Sequence, residues 1–248
     1  FAATVAQVRW QKIVVTYKVA GEVVAVEAPK FDVTTSNFTE AFSLNITSAE
    51  GTTLKYTTDT TDPATSATAV VINTNTATVA IPAKSTMVRA IAIKGEDVSE
   101  EKETTYCYVN SPATAYTVAE AMEVIDAGLG LTNELYVKGE ISTIEKYDAN
   151  YGSITYWIKD EEGNKFECYS GLGLNKAKFT KKEDLVVGSK VVVCGVMKKF
   201  NTIYEFNYNN YIVSLELPVA KFNVTVTAEN GTVAGAGEYE EGKEATLT

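Results

Sequence analysis

Ile154-Thr155-Tyr156-Trp157-Ile158-Lys159, then Asp160-Glu161-Glu162-Gly163, then Lys165-Phe166-Glu167-Cys168-Tyr169 is the stretch that decides the fold. On either side of an acidic, glycine-closed turn, apolar side chains recur at every second residue, which sets them on one face of an extended chain. Two strands joined by a solvated hairpin turn follow. The same alternation, rich in Val, Ile, Thr and Tyr and broken by Gly, Asn or Asp about every ten residues, runs along the chain and predicts an all-β protein.

Working outward, strands are expected at residues 135–144, 154–159, 165–169, 190–196 and 204–213, with a short helical or irregular stretch at 174–184. Three strands, a helical connection and two more strands give the order of an OB-fold-like five-stranded barrel. One helix precedes it. Thr117 caps that helix, Glu120 completes a capping box, Val118, Ala121, Met122 and Ile125 share a face, and Gly128 and Gly130 end it.

Further upstream, Pro29 forces extended backbone on its predecessor and marks a boundary. Phe38, Phe42, Leu44 and Ile46 open a strand pattern that continues at 54–58, 70–72, 78–81, 87–93 and 104–108, the spacing of an Ig-like β-sandwich. Ile13, Val15 and Tyr17 alternate within a strand expected at 5–18, which needs sheet partners from sequence outside this chain. Asn230-Gly231 is a strong hairpin-turn signal. The expected units are therefore 1–28, 29–110, 111–217 and 218–248, with partial β modules at both ends.

Three resemblances follow from motifs. Lys55-Tyr56-Thr57-Thr58-Asp59, Asp62-Pro63, Val88-Arg89-Ala90-Ile91-Ala92 and Ser99 resemble the chitobiase and β-hexosaminidase C-terminal-like domain, an Ig-like module of extracellular bacterial proteins. Thr60 departs from that pattern, which has Gly after the Asp. Tyr116 to Ala121 with Val137-Lys138-Gly139-Glu140-Ile141 resembles OB-fold-like modules of Bacteroidetes surface proteins. Val224-Thr225-Val226, Asn230-Gly231-Thr232-Val233, Gly237-Glu238-Tyr239 and Gly242 resemble the opening of a divergent internalin B-repeat, and Phe1 to Tyr17 resembles the last strands of a carbohydrate-binding β-sandwich. Together these imply a non-catalytic accessory segment of a secreted or cell-surface bacterial protein, with any signal or anchor outside the chain.

Composition narrows the chemistry. The 248 residues carry a formal charge of −10 and no histidine. The first disfavours nucleic acid, whose affinity rests on Lys and Arg neutralising phosphates. The second removes the commonest general base and zinc ligand, so no enzyme and no cofactor are expected; the remote alternative is part of an extracellular hydrolase, for which Asp160-Glu161-Glu162 is the densest acidic cluster. No apolar run reaches the roughly 20 residues of a membrane span. Cys168 and Cys194 sit inside apolar strand patterns as expected core residues, while Cys107 lies near a unit edge. Asp59 and Asp62 fall short of the oxygen set calcium takes. Gly171-Leu172-Gly173 has Lys176 where a dinucleotide loop needs its third glycine.

Binding, as an alternative to spacing, falls to the barrel. Such barrels bind through strands two and three and the loops joining strands one to two and four to five. Those loops carry Lys146, Tyr147, Asn150 and Tyr151, then Lys198, Lys199, Phe200 and Asn201; Trp157 and Tyr169 lie on the strands between and either fill the barrel or stand on its surface. Aromatic faces stack on sugars or bases. Residues 113–216 hold eleven Lys, no Arg and fifteen Asp plus Glu, a balance that points to a neutral glycan or a protein ahead of single-stranded nucleic acid.

Overall fold

A computed structural model describes residues 25–227, 229 and 234–246. The strand expected at 5–18 and the Asn230-Gly231 turn lie outside the described residues. Within them the chain is all-β with a single α-helix.

The first unit is a two-sheet sandwich. One sheet has the order β1 (Lys30–Phe31), β3 (Phe42–Thr47), β6 (Thr76–Ile81). The other runs β2 (Asn37–Phe38), β9 (Lys102–Tyr108), β7 (Thr86–Lys94), β4 (Thr53–Thr57), β5 (Val70–Ile72), with β8 (Asp97–Val98) appended to β7. Alternation produces the core: Leu44, Ile46, Val79 and Ile81 from the first sheet meet Leu54, Val88, Ala90 and Tyr106 from the second, all buried. Phe42 and Tyr106 pack edge to face at 5.3 Å, and the Tyr106 hydroxyl donates to the Val33 carbonyl at 2.8 Å.

Thr60 keeps the backbone that a glycine would have supplied. Its φ is +68°, a left-handed conformation that crowds a β-branched side chain. Neighbours over-determine it. The Thr60 carbonyl accepts from Arg89 Nη1 at 3.0 Å, and the Asp59 carboxylate accepts from the Thr61 and Thr68 hydroxyls, each at 2.5 Å. The hydroxyl-rich loop is thus a self-satisfied turn, with Asp59 held below the usual carboxylate range by the Thr61 and Thr68 hydrogen bonds.

The second unit is a closed barrel. β10 (Glu134–Asp148), β11 (Ser153–Lys159) and β12 (Lys165–Gly171) form a meander; β13 (Lys190–Phe200) returns to pair with β10, and β14 (Ile203–Phe206) fits between β12 and β13. The closure β10-β11-β12-β14-β13-β10 is the five-stranded order expected of an OB-like barrel. α1 (Val118–Ala127) packs on it through Val118, Ala121, Val124 and Ile125. The expected capping box is present: Thr117 Oγ1 accepts from the Glu120 amide, and Glu120 Oε2 accepts from the Thr117 amide at 2.8 Å. Gly128 closes the helix at φ +71°. The stretch 174–184 holds two short 3-10 turns.

One strand departs from expectation. Residues 204–213 are two strands, β14 and β15 (Tyr211–Glu216), separated by a turn with Asn209 at φ +68°. Asn210 explains the break. It is buried, its amide donates to the carbonyls of Tyr169 and Asn207 at 2.8 and 2.9 Å, and a Cβ on Gly171 or Gly195 would collide with it. A polar side chain has replaced ladder hydrogen bonds there, which period-two reading does not register. β16 (Lys221–Val224) and β17 (Gly237–Glu240) form an antiparallel pair on which Phe222 stays exposed.

Replacing Thr60 by Gly removes the left-handed strain while keeping the Arg89 contact to the backbone; equilibrium denaturation should show a gain of about 1 kcal/mol, and a loss of stability would contradict this account of the turn.

Candidate functional site

Strand register builds the outer face of the barrel. Trp157 on β11 lies opposite Thr143 on one side and Glu167 on the other; Glu167 pairs in parallel with Glu205 on β14, and Glu205 lies opposite Lys198 on β13. Because Phe166, Cys168 and Phe206 point into the core, this row points outward. The β10–β11 loop adjoins the C-terminal end of β12 through the Ile154–Gly171 pair, and the β13–β14 loop adjoins the opposite end. The two loops therefore flank the row from opposite ends.

The expected site residues separate on this face. Tyr151, Tyr169 and Phe200 are 68, 47 and 56% exposed. Trp157 is half-buried on the outside, its indole N–H donating to Glu145 Oε1 at 2.7 Å. A register shift between Ile144 and Lys146 makes Glu145 an extra residue in β10, and such bulges re-aim side chains. Lys198 Nζ lies 3.1 Å from Glu205 Oε1, 3.2 Å from Asn207 Oδ1 and 5.5 Å from the Phe200 ring centre. Asn201 turns the hairpin at φ +54°.

Others are committed to structure. Tyr147 is half-buried and donates to the Phe179 carbonyl at 3.3 Å. Lys146 pairs with Asp148 at 3.3 Å, and Asp148 Oδ1 accepts from the Asn150 amide at 3.1 Å, shaping the loop. Lys199 reaches away to α1: its ammonium contacts Asp126 at 2.8 Å and Tyr204 Oη at 2.6 Å, and Tyr204 donates to the other Asp126 oxygen. Lys199 fastens the helix rather than joining the row.

Sequence reading missed Glu145, Glu167 and Glu205. Glu167 and Glu205 are only 8 and 4% exposed although they face outward. Their signal was a carboxylate between aromatic or apolar neighbours inside each strand, in Phe166-Glu167-Cys168 and Tyr204-Glu205-Phe206. Burial raises the Glu167 pKa to about 7, helped by hydrogen bonding with Glu205 and by the charges of Glu205 and Glu145, against the opposing pull of Lys198. The one ammonium in contact with the pair, Lys198, lies against Glu205, which leaves Glu167 as the carboxyl whose charged form is disfavoured.

The acidic turn behaves otherwise. Burial pushes Asp160 up, but hydrogen bonds from Asn164, Ala119 and Gly163 outweigh it and hold the group below its ordinary value. A carboxylate so bound is a turn brace, not a proton donor. It lines an open groove of about 670 Å³ with Lys138, Glu140, Lys159 and Lys190. Cys168 and Cys194 are buried, and all three cysteines are free. Among the described residues no three His, Cys, Asp or Glu side chains are placed to hold a metal ion, and no helix is long and apolar enough to cross a membrane.

Comparison with protein-family models finds no match to this chain, and comparison with curated proteins returns no significant match.

The sign of the pH effect follows from Glu167. Its folded pKa of about 7 exceeds the ordinary 4.5, so its contribution to stability is fully present below pH 4.5 and is lost as pH rises through 7. Between pH 5 and 8 the unfolding free energy should fall by about 2 kcal/mol from this group. Glu167→Gln should flatten that slope in chemical denaturation; an unchanged slope would contradict the assignment.

Proposed function

We propose that this chain is a non-catalytic accessory segment of a secreted or cell-surface bacterial protein, holding a binding or catalytic module at a set distance and angle. The observation that supports it is the joint between sandwich and barrel. Asn110 is buried there, and its amide imitates a strand: Oδ1 accepts from the Tyr136 amide at 2.9 Å while Nδ2 donates to the Tyr136 carbonyl at 2.8 Å. Tyr108 and Tyr116 pack edge to face across the joint at 6.5 Å. Gly130 lies where a Cβ would stand 2.8 Å from Ser85 Oγ, so the barrel's loop seats directly on the sandwich.

Such a joint suits a spacer. A flexible linker would let the units reorient, whereas a buried bidentate amide resists opening because separation leaves polar groups without partners. The motif resemblances supply the extracellular setting, and the absence of histidine from the sequence favours a non-catalytic role.

A second reading rests on the exposed Tyr169, Tyr151 and Phe200 beside the Glu145-held Trp157. That face suits a neutral glycan, with aromatic rings for sugar faces and carboxylates for hydroxyls. Saturable binding on a glycan array, abolished by Trp157→Ala together with Tyr169→Ala, is the outcome this reading expects; silence across the array with folding intact leaves the spacer alone.

For the spacer itself, residual dipolar couplings should fit sandwich and barrel to one alignment tensor, and Asn110→Ala should split them into two. Independent tensors in the unaltered chain would contradict the proposal.

A further inference from the structure

The barrel closes at a narrow seam. β12 and β14 share two parallel rungs, Glu167 with Glu205 and Cys168 with Phe206; the seam resumes only at the isolated bridge between Leu172 and Tyr211, beyond the Asn210 break. The two faces of the seam oppose each other chemically. Inside, Phe166 and Phe206 pack edge to face at 5.1 Å. Outside, Glu167 and Glu205 lie side by side, each more than nine-tenths buried.

The charged groups that act most strongly on Glu167 come from three other strands. Glu205 comes from β14, Glu145 from β10 and Lys198 from β13. β11 presents Trp157 at this level, and Lys159, two residues further, is held by Glu140 at 3.2 Å. Lys165 and Tyr169 flank Glu167 on its own strand. From the neighbouring strands one ammonium, Lys198, faces the carboxyls of Glu167, Glu205 and Glu145, and it sits on Glu205.

We propose that this rung is a proton-operated latch: while Glu167 and Glu205 share a proton the seam is shut, and loss of that proton lets β14 and the tip of its hairpin part from β12. Like charges directly opposite on paired strands repel, and the repulsion is amplified where water is excluded. A two-rung parallel ladder offers little to resist it. The Phe166–Phe206 contact acts across the seam against opening, and Lys198 tempers the repulsion by pairing with Glu205 within the hairpin, so the movement stays local to this end while the Leu172–Tyr211 bridge and the β10–β13 ladder keep the barrel folded. Opening would carry Lys198, Phe200 and Asn201 away from Trp157 and remodel the outer face. A change from mildly acidic to mildly alkaline surroundings is then the signal.

Backbone hydrogen exchange in the full chain tests this. Between pH 5.5 and 8.5, after correction for intrinsic exchange, protection at residues 167–169 and 205–206 should fall at least about tenfold relative to β10 and β13. Glu167→Gln should abolish the fall. Uniform protection across pH, or an equal fall in the variant, would overturn the latch. Should that variant not fold, carboxyl ¹³C titration of the unaltered chain decides: one glutamate with a midpoint near 7 supports the proposal, whereas every glutamate titrating below 5.5 sinks it.

Discussion

Closure of the barrel along β12, through its two parallel rungs with β14 and the Leu172–Tyr211 bridge beyond them, is the constraint on which the second unit depends. Three meander strands make an open sheet, and β13 can pair with β10 without completing a ring. Insertion of β14 between β12 and β13, continued by β15 along β13, covers strand edges that would otherwise seek partners. The chain accepts two buried carboxyls to achieve it. Phe166 meeting Phe206 across the same rungs, together with Lys198 against Glu205, offsets that repulsion.

The seam also governs what the face can present. Glu145 escapes the regular pleat through a bulge, fixes the Trp157 indole and contributes negative potential at Glu167. Tyr169 and Phe200 remain exposed around them. Of the loop residues expected to bind, Tyr147, Lys146 and Lys199 are held in contacts within the fold, while Tyr151 and Phe200 stay exposed. The partners of Lys199 on α1 and β14 couple the helix to the hairpin that closes the barrel.

Much of the architecture was legible because alternation and capping are local signals. The Thr117–Glu120 box, the Gly128 cap and the strand-turn-strand at 154–169 each depend on residues within a few positions of one another, so pattern and structure agree. What stayed hidden depends on distant pairs. Asn210 breaks a strand because Gly171 and Gly195 leave room for it. Glu167 and Glu205 stand 38 positions apart and meet only through parallel pairing, so neither looks unusual alone. Asn110 likewise gains meaning from Tyr136. The left-handed Thr60 was foreshadowed, since the resemblance places a glycine there, yet only the Arg89 contact explains how threonine is tolerated.

The protonation of the seam links closure, surface and pH response, and it is open to direct observation. An atomic-resolution crystal structure obtained near pH 5.5 should show the Glu167 and Glu205 carboxyls within hydrogen-bonding distance, with unequal C–O bond lengths in one of them, over intact β12–β14 rungs. Two symmetric, separately solvated carboxylates, or strands unpaired at Cys168 and Phe206, would contradict the account.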